Sequence, residues 1–154
     1  MKHIDVGFIG LAGAGKDTAA LALVEQGWKR VAFADKLKSL AFMFGWDGHK
    51  DSAGRKLLQD LGMAARTYNS DFWVNQTYSG INAKYCVFTD VRFENEAQFI
   101  RDRGGIIVRI VRPDQISEDQ HESETNQFEI RSDYKVVNGG TIEDLRQSVL
   151  NILT

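Results

Sequence analysis

The stretch Val6–Thr18, VGFIGLAGAGKDT, decides the fold of this chain. An apolar run over its first four residues changes at Gly10 into a glycine-rich segment, and Lys16 then opens a helix-forming run. The spacing of Gly10, four residues, Gly15 and Lys16 is that of a P-loop that lacks the usual Ser or Thr after the lysine. Glycines let backbone N–H groups curl around phosphate oxygens, and the following helix adds positive potential. The pattern therefore predicts a phosphate-binding loop, and a glycine-rich turn that binds nothing is the alternative.

Lys16 supplies a compact, mobile charge for the outer phosphates of a bound nucleotide. The residue after the P-loop lysine normally gives a hydroxyl to Mg²⁺, but here it is the carboxylate of Asp17, with Thr18 one place on. Asp17 can reach the metal directly or through water, or it can merely cap the start of the helix. The residues expected to hold the phosphates and metal are Gly10, Ala12, Gly13, Ala14, Gly15, Lys16, Asp17 and Thr18.

The composition limits the classes of protein to which this chain can belong. A chain of 154 residues with 43% hydrophobic and 26% charged residues is ordinary for one globular domain. The net charge of −2 gives no electrostatic footprint for duplex DNA, so no stable nucleic-acid partner is expected. The single cysteine, Cys86, cannot form an intramolecular disulfide. The N-terminus enters the first strand without a signal peptide or membrane span, so we expect a cytoplasmic protein with no membrane partner.

Short apolar strands alternate with helices along the chain. This order predicts a five-stranded, mainly parallel sheet that is covered on both sides, with ligands beyond the carboxyl ends of the strands. Asp35 is expected to cap the second helix, and Thr141 with Asp144 resembles a capping box before the last one. The predicted strands are residues 4–9, 31–34, 85–89, 106–111 and 134–137.

Polar residues follow two of these strands. Asp90 ends the strand YCVFT in the position of a Walker-B acid, where a carboxylate can hold Mg²⁺; a helix N-cap is the alternative. Arg92 lies two residues further on, and Arg109 and Arg112 lie near the end of the fourth strand. Phosphoryl transfer requires positive charge on the equatorial oxygens, a task that suits Arg92 and Arg112.

A polar segment over about residues 113–133 follows Arg112, and we expect it to act as a lid over the phosphates. It contains His121, Ser123 and Glu124, which could suggest a catalytic triad. That interpretation is rejected because the chain has no nucleophile elbow.

Several separated segments resemble the deoxynucleoside monophosphate kinases of bacteriophages, a branch of the P-loop kinase superfamily. The resemblance implies a three-layer P-loop kinase fold as one domain over residues 1–154, with an acceptor-binding helical region at about 35–83 and the short lid. It also implies transfer of the γ-phosphoryl of ATP to a deoxynucleoside monophosphate, with Mg²⁺. The matching pieces are GLAGAGKDTAA, FADKLK, LLQDLGMAAR, DFWV, TDVRFENEA, HESE and VVNGGTIEDL.

The resemblance also implies roles for individual residues. Lys38, Arg66 and Arg92 would bind the acceptor monophosphate, and Arg112 would act on the transferring group. Gln59 and Trp73 would border the base or sugar of the acceptor. Residues implied near the nucleotides also include Asp90 on the acceptor side, and Arg109, Asn138 and Gly139 on the ATP side.

Two other functions remain open at this point. A P-loop kinase can act on another small-molecule or modified-nucleoside acceptor, and a nucleotide-binding switch can signal to a partner without an acceptor. The base, the sugar preference and the choice between monomer and homodimer are not predicted.

Overall fold

The computed structural model describes residues 1–113, 115 and 125–154. The chain divides into two compact units, one of residues 1–31 with 83–154 and one of residues 32–82. The first unit contains a parallel sheet with helices, and the second is helical. The first unit comprises β1 (Val6–Ile9), α1 (Lys16–Val24), β2 (Lys29–Val31), β3 (Cys86–Phe88), α5 (Glu94–Asp102), β4 (Ile106–Val111), a 3₁₀ turn (Asn126–Glu129), β5 (Tyr134–Val137) and α6 (Ile142–Ile152).

The five strands form one sheet in the order β2-β3-β1-β4-β5, and every pairing is parallel. This confirms the predicted five-stranded parallel sheet. β1 is central: Val6 is in register with Val87 on one side and with Ile106 on the other. All four residues of β1 are buried, as expected for a strand covered on both faces. Both neighbours of β1 come from much later in the chain.

Helices cover both faces of the sheet and make three layers in this unit. Successive strand residues point to opposite faces, and β1 shows this directly. Phe8 belongs to a buried cluster with Ala19 and Leu23 of α1 and with Leu145 of α6. Gly7 faces the other way, where a Cβ atom would meet the Ile100 side chain of α5 at 2.6 Å.

Side chains cap two helices of this unit. Thr141 Oγ1 accepts from the Asp144 N–H at 3.1 Å and Asp144 Oδ2 accepts from the Thr141 N–H at 2.8 Å, which confirms the predicted capping box. At α5 the Glu96 carboxylate accepts from the Arg92 and Phe93 N–H groups, so this buried acid caps its own helix. No helix in the described ranges has the length and apolar character to cross a membrane.

The second unit contains three helices, α2 (Ala34–Met43), α3 (Ser52–Tyr68) and α4 (Phe72–Gly80). Asp51 caps α3 by accepting from the Gly54 N–H at 2.8 Å. The indole Nε1–H of Trp73, at the start of α4, donates to the Gly62 carbonyl of α3 at 3.0 Å. Trp73 is 6% exposed and therefore anchors α4 to α3.

Two sequence-based boundaries were wrong here. The second strand, predicted at 31–34, lies at Lys29–Val31 because its backbone pairs with β3 at the sheet edge, where two of its three side chains are exposed. The buried Phe33, which suggested a strand, is the N-cap of α2. Asp35 is consequently inside the first turn of α2 and does not cap it.

Candidate functional site

The loop between β1 and α1 depends on its glycines. A Cβ atom on Gly10 would lie 2.6 Å from the Ile110 carbonyl oxygen of β4, so the backbone approaches too closely for any side chain. Gly13 and Gly15 have φ angles of 80° and 110°, in the region that favours glycine. This strand–loop–helix geometry is that of a P-loop.

Side-chain donors bind four carbonyl groups of the loop. Each of these bonds gives a carbonyl oxygen, which would repel an anion, a partner within the protein. The donors are Lys16 Nζ on Gly10 (2.5 Å), Gln115 Nε2 on Ala12, Arg112 on Gly13 (3.2 Å) and Asn138 Nδ2 on Ala14 (2.9 Å).

Two backbone N–H groups of the loop differ from its carbonyl groups in their hydrogen bonding. Within the described ranges, the backbone N–H groups of Gly13 and Gly15 form no hydrogen bond. Gly15 is the N-cap of α1, and no side chain caps this helix. Unpaired N–H groups at a helix N-terminus form a site for phosphate. The geometry of the loop therefore suits the binding of an anion.

Asp17 is the second residue of α1 and is exposed. Because the N-cap position belongs to Gly15, the alternative that Asp17 caps the helix is wrong. Its carboxylate lies in the first turn, beside the N–H groups described above. Thr18 follows it and is half-buried.

Asp90 follows β3 and lies at the carboxyl end of the sheet, as the P-loop does. Its neighbour Val91 donates to the Phe8 carbonyl of β1 at 3.3 Å, and Thr89 donates to the Val31 carbonyl of β2 at 3.2 Å. Asp90 therefore sits where β1 enters the P-loop. The N-cap of α5 is Phe93, so Asp90 does not cap that helix either.

The donor set fits Mg²⁺. The described residues contain no group of three or more His, Cys, Asp or Glu that could hold a metal ion. Mg²⁺ is usually bound through one or two carboxylates together with waters and substrate phosphates. Asp17 and Asp90 provide such carboxylates at the loop, and a protein-only cage is not required.

Arg109 and Arg112 have different surroundings at the end of β4. Arg112 is exposed and contacts the loop at Gly13. Arg109 donates to the carbonyls of Gln127 at 3.1 Å and Ile130 at 2.7 Å, and burial lowers the pKa of its guanidinium. Arg109 thus ties the 3₁₀ turn to the sheet, while Arg112 remains at the surface of the site.

Two glutamines at this site were missed by sequence reasoning. Gln115 holds the Ala12 carbonyl, and the buried Gln127 accepts from the Gly10 N–H at 2.9 Å. Both lie in or beside the polar segment that was predicted to be a lid. Neither has a spacing signal, because their partners are more than a hundred residues away.

In the structure Arg112 and Asn138 contact the loop directly, and Asp90 lies with them at the carboxyl end of the sheet. Arg92 is half-buried two residues after Asp90, and a Cβ on Gly139 would lie 3.3 Å from Pro113. His121, Ser123 and Glu124 lie outside the described residues.

The acceptor-side residues implied by the resemblance lie mostly in the second unit. Lys38 belongs to α2, and Gln59 and Arg66 are seven residues apart on α3, so they share one face of that helix. All three are half-buried. Trp73 has its indole N–H bonded to Gly62, which leaves little of its ring exposed.

Known proteins resemble this chain in sequence. Residues 46–149 match the family model described as deoxynucleotide monophosphate kinase. A candidate deoxynucleotide monophosphate kinase of Acanthamoeba polyphaga mimivirus is 29% identical, with 95% of this chain and 94% of the relative covered. The deoxynucleotide monophosphate kinase of Escherichia phage RB69 is 28% identical over 64% of this chain, and the match spans 44% of the phage protein.

Solved structures share the fold. Shikimate kinase from Acinetobacter baumannii, in complex with shikimate, has a TM-score of 0.55 at 17% identity, covering 97% of this chain and 92% of that one. Shikimate kinase from Aquifex aeolicus has a TM-score of 0.53 at 14% identity, covering 96% and 95%. These likenesses confirm the predicted P-loop kinase fold and carry nothing beyond it.

Proposed function

Since the chain belongs to the deoxynucleotide monophosphate kinase family and is a phosphotransferase, we propose that it transfers the γ-phosphoryl of ATP to a deoxynucleoside monophosphate. The products are a deoxynucleoside diphosphate and ADP. The observation that carries the proposal is the loop itself: side-chain donors bind its carbonyls, while its N–H groups at Gly13 and Gly15 have no hydrogen-bond partner among the described residues and can bind an anion.

Lys16 is the main catalytic residue of this proposal. Its ammonium group is held at the mouth of the loop by the Gly10 carbonyl, where it can stabilise charge on the outer phosphates of ATP. Gly10, Ala12, Ala14 and Thr18 complete the loop that binds those phosphates. No protein nucleophile or general base is needed, because the oxygen of the acceptor phosphate is already anionic.

Asp17 and Asp90 are the carboxylates proposed to hold Mg²⁺, directly or through water. The metal would neutralise phosphate charge at the loop. Asp17 occupies the place of the usual hydroxyl residue, so this chain brings an additional negative charge to the metal.

Arginines supply the remaining positive charge. We assign Arg112 to the transferring phosphoryl group, because it is exposed beside the loop and already contacts Gly13. Arg92 is assigned to the acceptor phosphate, as a half-buried cation two residues after Asp90. Planar guanidinium groups bind phosphate oxygens in pairs, which suits them to both tasks.

The other substrate contacts are proposals carried over from the family. On the acceptor side they are Lys38, Gln59, Arg66, Trp73 and Asp90, and on the ATP side they are Arg109, Asn138 and Gly139. The present contacts of Arg109 and Asn138 favour roles in supporting the loop. Small-molecule nucleotides are the proposed partners, and the cytoplasm is the proposed location, that of the host cell if a phage encodes the protein.

The test is to incubate the protein with ATP, Mg²⁺ and each deoxynucleoside or ribonucleoside monophosphate in turn and to follow ADP formation. We expect ADP formation that depends on at least one deoxynucleoside monophosphate and disappears when EDTA removes Mg²⁺. Reactions without an acceptor control for simple ATP hydrolysis. No acceptor-dependent ADP with any monophosphate would contradict the proposed function.

A further inference from the structure

The Gln127 side chain is almost completely buried, at 1% exposure, although it is polar. Burying an amide is unfavourable unless it is hydrogen-bonded. Its Oε1 atom accepts from the Gly10 N–H at 2.9 Å, a buried bond between residues 117 positions apart. This bond joins the 3₁₀ turn to the first residue of the P-loop.

Gln127 is itself held in place from the sheet. Arg109 of β4 donates to the Gln127 and Ile130 carbonyls, which anchors both ends of the turn. In the parallel register of β1 and β4, Arg109 lies opposite Ile9, the residue that precedes Gly10. The amide oxygen of Gln127 therefore lies beside the last residue of β1, where the loop begins.

Gly10 connects Gln127 to the lysine of the loop. Its N–H is bound by Gln127, and its carbonyl accepts from Lys16 Nζ at 2.5 Å. Rotation between the two peptide planes that meet at a glycine is only weakly restricted by the chain itself. The orientation of the second plane, which carries the acceptor for Lys16, therefore depends on contacts with the rest of the protein, and the Gln127 bond to the Gly10 N–H is one of these contacts.

We propose that Gln127 is a positioning residue for phosphoryl transfer, which acts through Gly10 on the ammonium group of Lys16. The inference rests on the proposed function, since it takes Lys16 as the group that stabilises the transferring phosphoryl. Its effect should appear in kcat and leave the KM for the acceptor monophosphate unchanged.

Gln127→Met is the test variant, because methionine has a similar length and volume but lacks the amide acceptor. We expect kcat to fall roughly tenfold, the loss that one hydrogen bond of average strength produces in a rate. The KM for the acceptor should stay unchanged. An inactive parent protein contradicts the proposed function, whereas an active parent with an unchanged kcat in Gln127→Met overturns only this inference.

Asp5→Ala is the matched control. Asp5 Oδ1 also accepts from a buried backbone N–H of the sheet, that of Cys86 at 2.6 Å, but at the amino end of β3, away from the loop. Both variants remove the side-chain acceptor of one buried backbone N–H. We expect Asp5→Ala to lower the free energy of unfolding while kcat stays at the parent value. An equal loss of kcat in both variants would overturn the positioning role.

Hydrogen exchange of the Gly10 amide, followed by NMR, gives a readout that does not depend on turnover. We expect this amide to be protected in the parent protein and to exchange faster in Gln127→Met, while amides in the middle of α6 are unchanged. If the Gly10 amide of the parent exchanges as fast as an exposed loop amide, the bond is absent and the inference fails.

Discussion

The two ends of the five-stranded sheet satisfy their backbone groups in opposite ways. At the amino end the chain uses its own carboxylates: Asp5 Oδ1 accepts from the Cys86 N–H at 2.6 Å, and Asp133 Oδ2 accepts from the Ile107 N–H at 2.7 Å. At the carboxyl end, side-chain donors bind the carbonyls of the P-loop, and the N–H groups of two loop glycines form no bond within the described ranges. At the amino end the protein itself satisfies these backbone groups, and at the carboxyl end two N–H groups remain available for the proposed anionic ligand.

Two helices that begin at the carboxyl end of the sheet differ in the same way in their side-chain caps. α6 is closed by the reciprocal bonds of Thr141 and Asp144. α1 begins at Gly15 without a side-chain cap. A helix whose first N–H groups are already occupied has little left to offer a phosphate. The comparison therefore favours α1 over α6 as the helix that binds phosphate in the proposed function.

The largest expected effect is at the carboxyl end. Lys16→Ala should lower kcat by at least about 100-fold, because the ammonium group stabilises charge that develops in the transition state. The free energy of unfolding should change by only about 1 kcal/mol, the usual net contribution of one partly buried hydrogen bond. Steady-state kinetics and urea unfolding measure the two quantities. Lys56→Ala, at an exposed ion pair with Asp60, is the control. Parent-like turnover in Lys16→Ala would contradict the P-loop assignment.

The reverse result is expected at the amino end. Asp5→Ala leaves the buried Cys86 N–H without its acceptor and removes the partner of the Arg103 guanidinium. We expect a loss of about 2–3 kcal/mol in the free energy of unfolding, with kcat per folded molecule unchanged. Urea unfolding and active-site-normalised kinetics test this. The control Asp102→Ala changes an exposed carboxylate on α5 and should be nearly neutral. A selective loss of kcat in Asp5→Ala would remove the contrast between the two ends.

A smaller effect is expected for the metal. Asp17→Ala should raise the Mg²⁺ concentration needed for half-maximal activity severalfold, because one of the two proposed carboxylates is lost. Glu143→Ala is a matched control, since Glu143 is also an acid in the first turn of a helix at the same edge. Titrations of activity with Mg²⁺ would compare the three proteins. If Asp17→Ala titrates like the parent, Asp17 takes no part in metal binding.

The smallest effect concerns the closed helix, α6. The hydrogen bonds from the backbone and side chain of Thr141 lower the pKa of Asp144 in the folded protein. The folded pKa is below the unfolded one, so the stabilisation is present above the ordinary aspartate pKa of about 4. It is lost as the pH falls through the folded pKa. Urea unfolding should therefore show a difference in the free energy of unfolding between the parent and Asp144→Ala at about pH 6, above that pKa, and this difference should shrink in acid. A difference independent of pH would exclude the charge as its source.

Most of the fold could be predicted from the sequence, because its elements carry local signals. The boundaries of β4 and β5 are those predicted, and the family resemblance is confirmed by the match over residues 46–149. β2 was misplaced because it is held at the sheet edge by backbone pairing with β3, and its exposed residues Lys29 and Arg30 do not look like a strand.

The site was predictable only where its chemistry is local. The spacing of Gly10, Gly15 and Lys16 predicts the loop, and the place of Asp90 after an apolar strand predicts its position. The groups that support the loop have no such signal, because Gln115 and Gln127 lie more than a hundred residues from their partners in the sequence. The resemblance placed Asn138 on the ATP side, and no sequence signal announced the bond of its amide to the Ala14 carbonyl. The roles assigned to the acceptor-side residues stay predictions.

The side-chain bonds to the loop carbonyls have a consequence for how the protein is made. Three of the groups that shape the loop come from residues 112, 115 and 138, and the two strands beside β1 also follow the loop in the chain. A nascent chain that ends before Arg112 carries the complete loop sequence without these three supports. The loop can therefore reach its supported shape only after β5 has left the ribosome.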